Sequence, residues 1–589
     1  MWNRLLGAVL AVLPLLLVSA CTGQEETADL VLRHGRIVTV DSLRPEAEAV
    51  AIVGSRIVAV GPDAEIGRWI GRSTEVVDLA GRLAVPGFIE GHGHYMGLGE
   101  AKQNLDLTVV RNWDEIVALV AASTRDAGND TWIIGRGWHQ EKWDRVPQPN
   151  VEGVPLHASL DVVSPNNPVF LEHASGHASL VNRRALELAG ITRRTADPEG
   201  GEIVKDASGE PSGLLRESAQ GLVSRAMARA DSGLTPDARE ARLRREVQLA
   251  GEEALSKGVT TFVDAGVGFE TVDFYRMLET DHTLPVRLYV MIRAATPRLR
   301  ENLARYRMPA DTNDFLVVRS LKRSLDGALG SHGAWLLAPY ADLPSSVGLA
   351  TDDTADLREV AALALENGYQ LGIHAIGDRA NREVLNIYEA AFRAHPERRD
   401  VRWRIEHAQH LDPADVQRFA PLGVVAAMQG VHATSDGPWV LKRLGEARAK
   451  SGAYVWRDLM RSGVVIANGT DTPVEDIDPI ANFYSSVTRR TKDGQAFYPE
   501  QRMTRAEALK SLTVNNAYAT FDESVKGSIT PGKLADIAVL SRDIMKVGEE
   551  EIRSARVDLT ILGGRVVYRR EAGGEAQSAS AGTGRPAVR

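Results

Sequence analysis

The sequence predicts an α/β protein: a (β/α)8 TIM barrel with an inserted subdomain, plus a small composite β-sandwich built from both chain ends. Three observations predict it. Eight apolar runs alternate with amphipathic stretches through the middle of the 589-residue chain, the pattern of βα units around a parallel sheet. Short strand-like runs crowd towards both ends. The interval between the first and second apolar runs is far too long for one crossover.

Composition narrows the function classes. Lys plus Arg number 69 and Asp plus Glu 78, a formal net charge of −9. A chain this acidic, without a basic block, does not suit nucleic acid, whose binding rests on phosphate contacts. Hydrophobic residues at 44% and charged residues at 25% supply a large core. The single cysteine, Cys21, excludes an intramolecular disulfide and a cysteine-based metal site. Any metal must be held by carboxylates and by some of the 14 histidines. Nothing in the sequence signals an oligomeric state.

Residues 1–20 read as a signal peptide. Arg4 gives positive charge, and residues 5–17 form an apolar run shorter than the roughly 20 residues of a bilayer span. Val18-Ser19-Ala20-Cys21 closes the run and resembles a lipoprotein signal. That resemblance implies cleavage before Cys21 and lipidation of its thiol, so that the protein is exported and held to the membrane on its periplasmic face. Thr22, not being Asp, favours the outer membrane. The alternative is an ordinary signal peptide with an incidental cysteine. Residues 21–28 form a polar tether.

Short runs at 30–32, 37–40, 49–53 and 57–60 then read as strands, with a Gly54-Ser55 turn. Runs at 537–540 and 560–567 match them near the other end, the last with a Gly563-Gly564 hairpin turn. Residues 29–83 and 525–570 are therefore expected to build one β-sandwich domain, since termini often lie close together. Residues 84–524 form the barrel, with an insertion at about 100–250. Its eight strands are expected at 83–89, 259–263, 286–292, 315–321, 370–373, 401–405, 424–428 and 464–467. The tail at 571–589 is Ala/Gly/Ser-rich and reads as disordered.

Polar residues stand at the ends of these runs: His92 and His94, Lys322, His374, Glu406-His407, and Thr470-Asp471. Barrel active sites sit at C-terminal strand ends. His92 and His94 are two apart on an extended segment, so both imidazoles share one side. Histidine with a carboxylate is a common donor set for a divalent cation. An ammonium has no lone pair for a metal, so Lys322 could ligate only when neutral and carbamylated. Otherwise it is a salt-bridging lysine beside a single metal.

The stretches VPGFIEGHGH (85–94), GVTTFVDAG (258–266), KRSLDGALGS (322–331), IHAIGDRAN (373–381), RIEHAQ (404–409), NGTDTPVE (468–475) and GSITPGKLADIAVL (527–540) together resemble the amidohydrolase superfamily, in its YtcJ-like branch of metal-dependent hydrolases. The resemblance spans about residues 29–568. It implies two Zn²⁺, with His92, His94 and Asp471 at the first, His374 and His407 at the second, and carboxylated Lys322 bridging them. Asp471 is then the catalytic acid–base. The implied reaction is hydrolysis of an amide-type C–N bond in a small molecule by a metal-activated hydroxide. Two departures stand out: His332 where the family often has Arg, and Thr470 in place of a common Ser.

Further candidates surround this set. His177 and Asn182 are candidates to reach the pocket from the insertion, and Trp138, His139 and Trp143 to wall it. Gln429 and His432 follow the seventh run, and His332 bears on specificity. The expected substrate contacts are Trp138, His177, His332, Gln429 and His432. Glu406 and Asp264 are expected to support ligands. Trp335, Tyr340 and Trp439 hint at an apolar substrate group. A serine hydrolase is disfavoured because no G-x-S-x-G occurs, and a zincin because no H-E-x-x-H occurs. Two alternatives stay open: a non-catalytic, surface-binding lipoprotein on this fold, and an esterase or deaminase with the same site.

Overall fold

The computed structural model describes residues 27–231, 233, 235–309 and 315–571. The signal segment, Cys21, the tether up to 26 and the tail from 572 lie outside the described residues.

Eight parallel strands form the central sheet: β1 (Phe88–Gly93), β2 (Val259–Val267), β3 (Arg287–Ile292), β4 (Leu316–Ser324), β5 (Gln370–Ala375), β6 (Arg404–His407), β7 (Val425–Gln429) and β8 (Ile466–Gly469). They neighbour one another in sequence order. Their residues are almost all buried, as strands covered on both faces require. Helices between them carry ordinary stop signals. Thr354–Asn367, for example, starts at the Asp353 cap and ends at Gly368 with φ 69°.

β1 and β8 close the barrel without a regular ladder. Asn516 fills the gap, donating to Ile89 and Asn468 carbonyls at 2.6 and 2.7 Å and accepting from the Asn468 amide at 2.9 Å. Glu90 accepts from the Thr470 amide at 2.7 Å and its hydroxyl at 2.9 Å. Beyond the strand ends, the Asp471 amide donates to His92 O at 2.7 Å and the His94 amide to Thr472 O at 2.8 Å. Gly91 and Gly469 make the approach possible: a Cβ at either would lie 2.5 Å or less from atoms across the gap.

Both chain ends build two further sheets. One joins Arg56–Gly61, Ala49–Val53, Leu30–Arg33 and Glu75–Asp78. The other joins Arg565–Arg569, Val557–Leu562, Ile537–Leu540, Leu83–Pro86, Arg36–Val38 and Glu46–Ala47. Their facing side chains share one apolar cluster. Gly563 and Gly564 have φ of 55° and 77°, the hairpin conformation their sequence suggests. Arg287, on β3, bonds Asp536 of this region at 2.7 and 3.0 Å, both side chains buried.

Two expectations need correction. The run at 83–89 is two strands: Leu83–Pro86 pairs antiparallel with Ile537–Leu540, and β1 begins at Phe88. Pro86 pairs with Ile537 at the end of the first strand, and the Gly87 amide still donates to Asp536 O at 2.8 Å before the chain turns into β1. The inserted sheet spans Leu105 to Glu217, in six strands. Helix Pro236–Ser256 packs instead on Tyr95–Ala101 and β2, as a crossover helix of the barrel.

Candidate metal centre

Six of the expected residues converge at the C-terminal mouth of the barrel. His94, Lys322, His374, His407 and Asp471 line a cavity of about 600 Å³, and buried His92 lies against them. His92, His407 and Asp471 each offer a ligand atom within 4.8 Å of the others. Asp471 Oδ1 is 3.2 Å from His94 Nε2 and 3.5 Å from His92 Nε2. Lys322 Nζ is 3.2 Å from His92 Nε2. The His374 and His407 rings lie 4.5 Å apart, and those of His92 and His407 4.7 Å apart.

Backbone geometry at the strand ends delivers these side chains. His407 and Asp471 have φ of 75° and 59°. The left-handed region is costly for such residues and persists where the surroundings enforce it, commonly at functional sites.

Supporting groups fix each ligand. His92 Nδ1 donates to Glu406, which two Arg404 nitrogens hold at 2.7 and 2.9 Å. His92 Nε2 is thereby left for a cation, an arrangement typical of metal-bound histidine. His407 Nδ1 bonds Gln429 Oε1 at 2.9 Å. Asp326 accepts from the Ile376, Gly377 and Trp335 amides at 2.7 to 2.9 Å and sits 3.5 Å from His374 Nε2. His177 lines the cavity with Nδ1 on Glu217 at 2.7 Å.

The protonation states suit a cation. Burial, with Lys322 nearby, lowers the His92 imidazole to about 4. Burial holds His374 and His407 well below the usual histidine range, so all three stay neutral. Burial raises a carboxyl, but at Asp471 the His94 imidazole 3.2 Å away and the neighbouring His407 and His92 outweigh it and hold the group well below the usual range. Burial lowers Lys322 to about 8, against Glu406 and Asp471, so the neutral amine is accessible near neutral pH. Burial likewise raises Asp326 to about 7.

Asp471 Oδ1 and His374 Nε2 are buried without a hydrogen-bond partner. Buried polar atoms of this kind are rarely left unsatisfied. Neutral imidazoles, an ionised carboxylate and two orphaned donor atoms form a site for a divalent metal.

Other expected residues fall elsewhere. Trp138 does not reach the cavity: its indole donates to Leu171 O at 2.8 Å, and it stacks on Trp143 in the core of the inserted unit. His332 turns away to Asp342, 3.3 Å distant, and packs on Tyr340. Gln429 holds His407 and does not line the cavity. Asn182 caps helix Arg183–Ala189. Asp264 accepts from the Tyr95 amide and the Tyr275 hydroxyl. Trp335 stacks under Arg379, and Tyr340 is buried on Ala334 O. His139, His432 and Trp439 do line a smaller space beside the centre.

Sequence reasoning missed Asp326, Glu217 and Arg404 as site-building residues. Asp326 stood inside the KRSLDGALGS stretch, four residues after Lys322, and that spacing was the available signal. Glu217 carried none.

Comparison with known proteins agrees with this geometry. The profile of the Amidohydrolase family matches residues 75–568. The Arabidopsis thaliana protein LONG AFTER FAR-RED 3 is 34% identical over 556 residues, 92% of each chain. The putative amidohydrolase YtcJ of Bacillus subtilis is 31% identical, over 84% of this chain and 90% of its own. The N-substituted formamide deformylase of Arthrobacter pascens is 29% identical, over 92% of this chain and 98% of its own. With its barrel, its strand-end donors and a profile match over most of its length, the chain belongs to the amidohydrolase family, as a YtcJ-like hydrolase of C–N bonds.

Proposed function

We propose that this protein hydrolyses an amide-type C–N bond of a small molecule with two Zn²⁺, held by His92, His94, Lys322, His374, His407 and Asp471. The observation that carries the reading is the convergence of these six side chains, with Asp471 Oδ1 and His374 Nε2 orphaned among them. The formamide deformylase relative supports it, since its name specifies a C–N bond.

Bound divalent cations polarise a substrate carbonyl and acidify water, which is the chemistry amide hydrolysis needs. The chain's own residues do the rest. Asp471, ionised and lining the cavity, takes the proton of the attacking water and passes it to the leaving nitrogen. His177, fixed through Nδ1 by Glu217, keeps Nε2 for the substrate oxygen. Lys322, lowered by burial, would add its neutral amine nitrogen to carbon dioxide and release one proton, and the resulting carbamate oxygens would be its donors to a metal. Export and a lipid anchor on Cys21 complete the proposal, on the strength of the Val18-Ser19-Ala20-Cys21 stretch.

Elemental analysis of the purified protein tests the centre, with mass spectrometry for a 44 Da adduct on Lys322, the mass of one carbon dioxide. Two zinc per chain with the adduct is the expected result. A protein that takes up no metal from zinc solution refutes the proposal. Asp471→Asn should cost about 100-fold or more in kcat, and full turnover in that variant would contradict its role. Labelling with a radioactive fatty acid, abolished by Cys21→Ser, checks the anchor.

A further inference from the structure

A second compartment, of about 50 Å³, adjoins the large cavity. The two share Ser175, His177, His374, His407, Asp471 and Val474, so they meet at the centre itself. A carbon reacting there has one roomy side and one confined side.

The confined side is built as a binding space. Ala328, Leu329 and Gly330 supply one wall from the segment after β4, and Trp439 of helix Gly430–Leu444 faces them. A Cβ on Gly330 would stand 3.3 Å from the Trp439 ring and 3.5 Å from His139 Nε2, so the walls are already at contact distance. At its rim Lys142 lies 3.6 Å from Glu475, and Asp436, which burial raises towards its neutral form, accepts from the Tyr454 hydroxyl at 2.7 Å. A neutral guest suits this lining. Trp439 Nε1 and His432 Nε2 are buried without partners, on side chains 7% and 6% exposed. Voids left by imperfect packing are lined by apolar atoms, whereas unsatisfied buried polar atoms point to a ligand or water.

Resting on the amide-hydrolysis reading above, we infer that this compartment receives the acyl flank of the substrate and limits it to about three non-hydrogen atoms. The amine flank extends into the 600 Å³ cavity. The amine departs as the C–N bond breaks and takes the roomier side. The acyl group stays at the centre until released as the acid, and the small compartment can hold it. Trp439 and Gly330 are the specificity-determining residues.

Hydroxamic acids test this without turnover, because they seat an acyl flank at a metal centre. Acetohydroxamate, butyrohydroxamate and benzohydroxamate are titrated calorimetrically into the zinc-loaded full chain. Benzohydroxamate should bind at least about tenfold more weakly than acetohydroxamate, the cost of forcing a large group into a small, already packed space. Trp439→Ala should bring the two within about threefold, and Gly330→Ala should weaken acetohydroxamate by about fivefold or more. Should Trp439→Ala not fold, the glycine variant decides alone. Equal binding of the small and large hydroxamates by the parent protein overturns the inference. A zinc-loaded protein that binds none of them overturns the amide-hydrolysis reading, and this inference with it.

Discussion

Glu406 never touches the cavity, yet it decides how His92 is presented. Its carboxylate lies between Arg404 and His92, all three buried. Burial alone would raise it, but the Arg404 guanidinium and His92 outweigh that and hold it far below the usual carboxylate range. Glu406→Gln should weaken zinc binding about 10- to 100-fold, read by competition with a chromophoric chelator. It should also cost about 3 kcal/mol in urea unfolding, because Arg404 is left as an uncompensated buried charge. Unchanged zinc affinity would show that Glu406 serves the barrel interior alone. The ligands were legible as polar residues at the ends of apolar runs. Glu406 too reads as a supporting residue, but which ligand it supports was not legible: its contact with His92 depends on how strands more than 300 positions apart lie across the barrel. Trp138 misled for a related reason. GRGWHQEKW is dense in aromatic residues, but composition does not say that His139 faces the centre while Trp138 faces the inserted core.

Helix Arg505–Ser511 shows the same balance one level up. Its Thr504 hydroxyl accepts from the Glu507 amide at 3.3 Å, and the Glu507 carboxylate accepts from the Thr504 amide at 2.7 Å. Thr504→Ala should cost about 1 kcal/mol of stability in urea unfolding, the usual worth of such a cap. Glu507 is also held by Arg457, foremost among the causes that lower its carboxyl to about 2 from 4.5. A depressed carboxylate stabilises the folded state above its unfolded value and loses that contribution on acidification. Stability should therefore fall as pH drops from about 4.5 towards 2, and Glu507→Gln should flatten that part of the curve; an unchanged slope would remove Glu507 from the account. Strands of the barrel were legible because continuous burial demands continuous apolar runs. The run at 83–89 failed as one strand because burial in either sheet selects the same residues, and only Pro86-Gly87 marks the change of sheet.

At the scale of the molecule, the two ends of the barrel sheet face each other across one side of the centre. His92 and His94 close β1, and Asp471 follows β8. A ligand that binds only the folded chain stabilises it, by about 2.7 kcal/mol at one hundred times its dissociation constant. Removing zinc with a chelator should lower the calorimetric midpoint by several degrees, and restoring zinc should recover it. An unmoved midpoint would mean that the metal contributes nothing to folding. How the barrel closes was not legible, since Asn516 and Glu90 resemble any other buried polar residue until their partners are seen. The closure nonetheless bears on durability. Among the eight strands, only the first and last are held to each other by side chains and a pair of amides rather than by a ladder. On the proposed ligand set, a cation held by His92, His94 and Asp471 would act as a rivet across this weak seam. Stripped of it, the protein should part first along that line, and hydrogen exchange should quicken at the amides of His94 and Asp471 before it quickens elsewhere in the barrel. The reaction would then be lost long before the shape, and returning the ion would mend both.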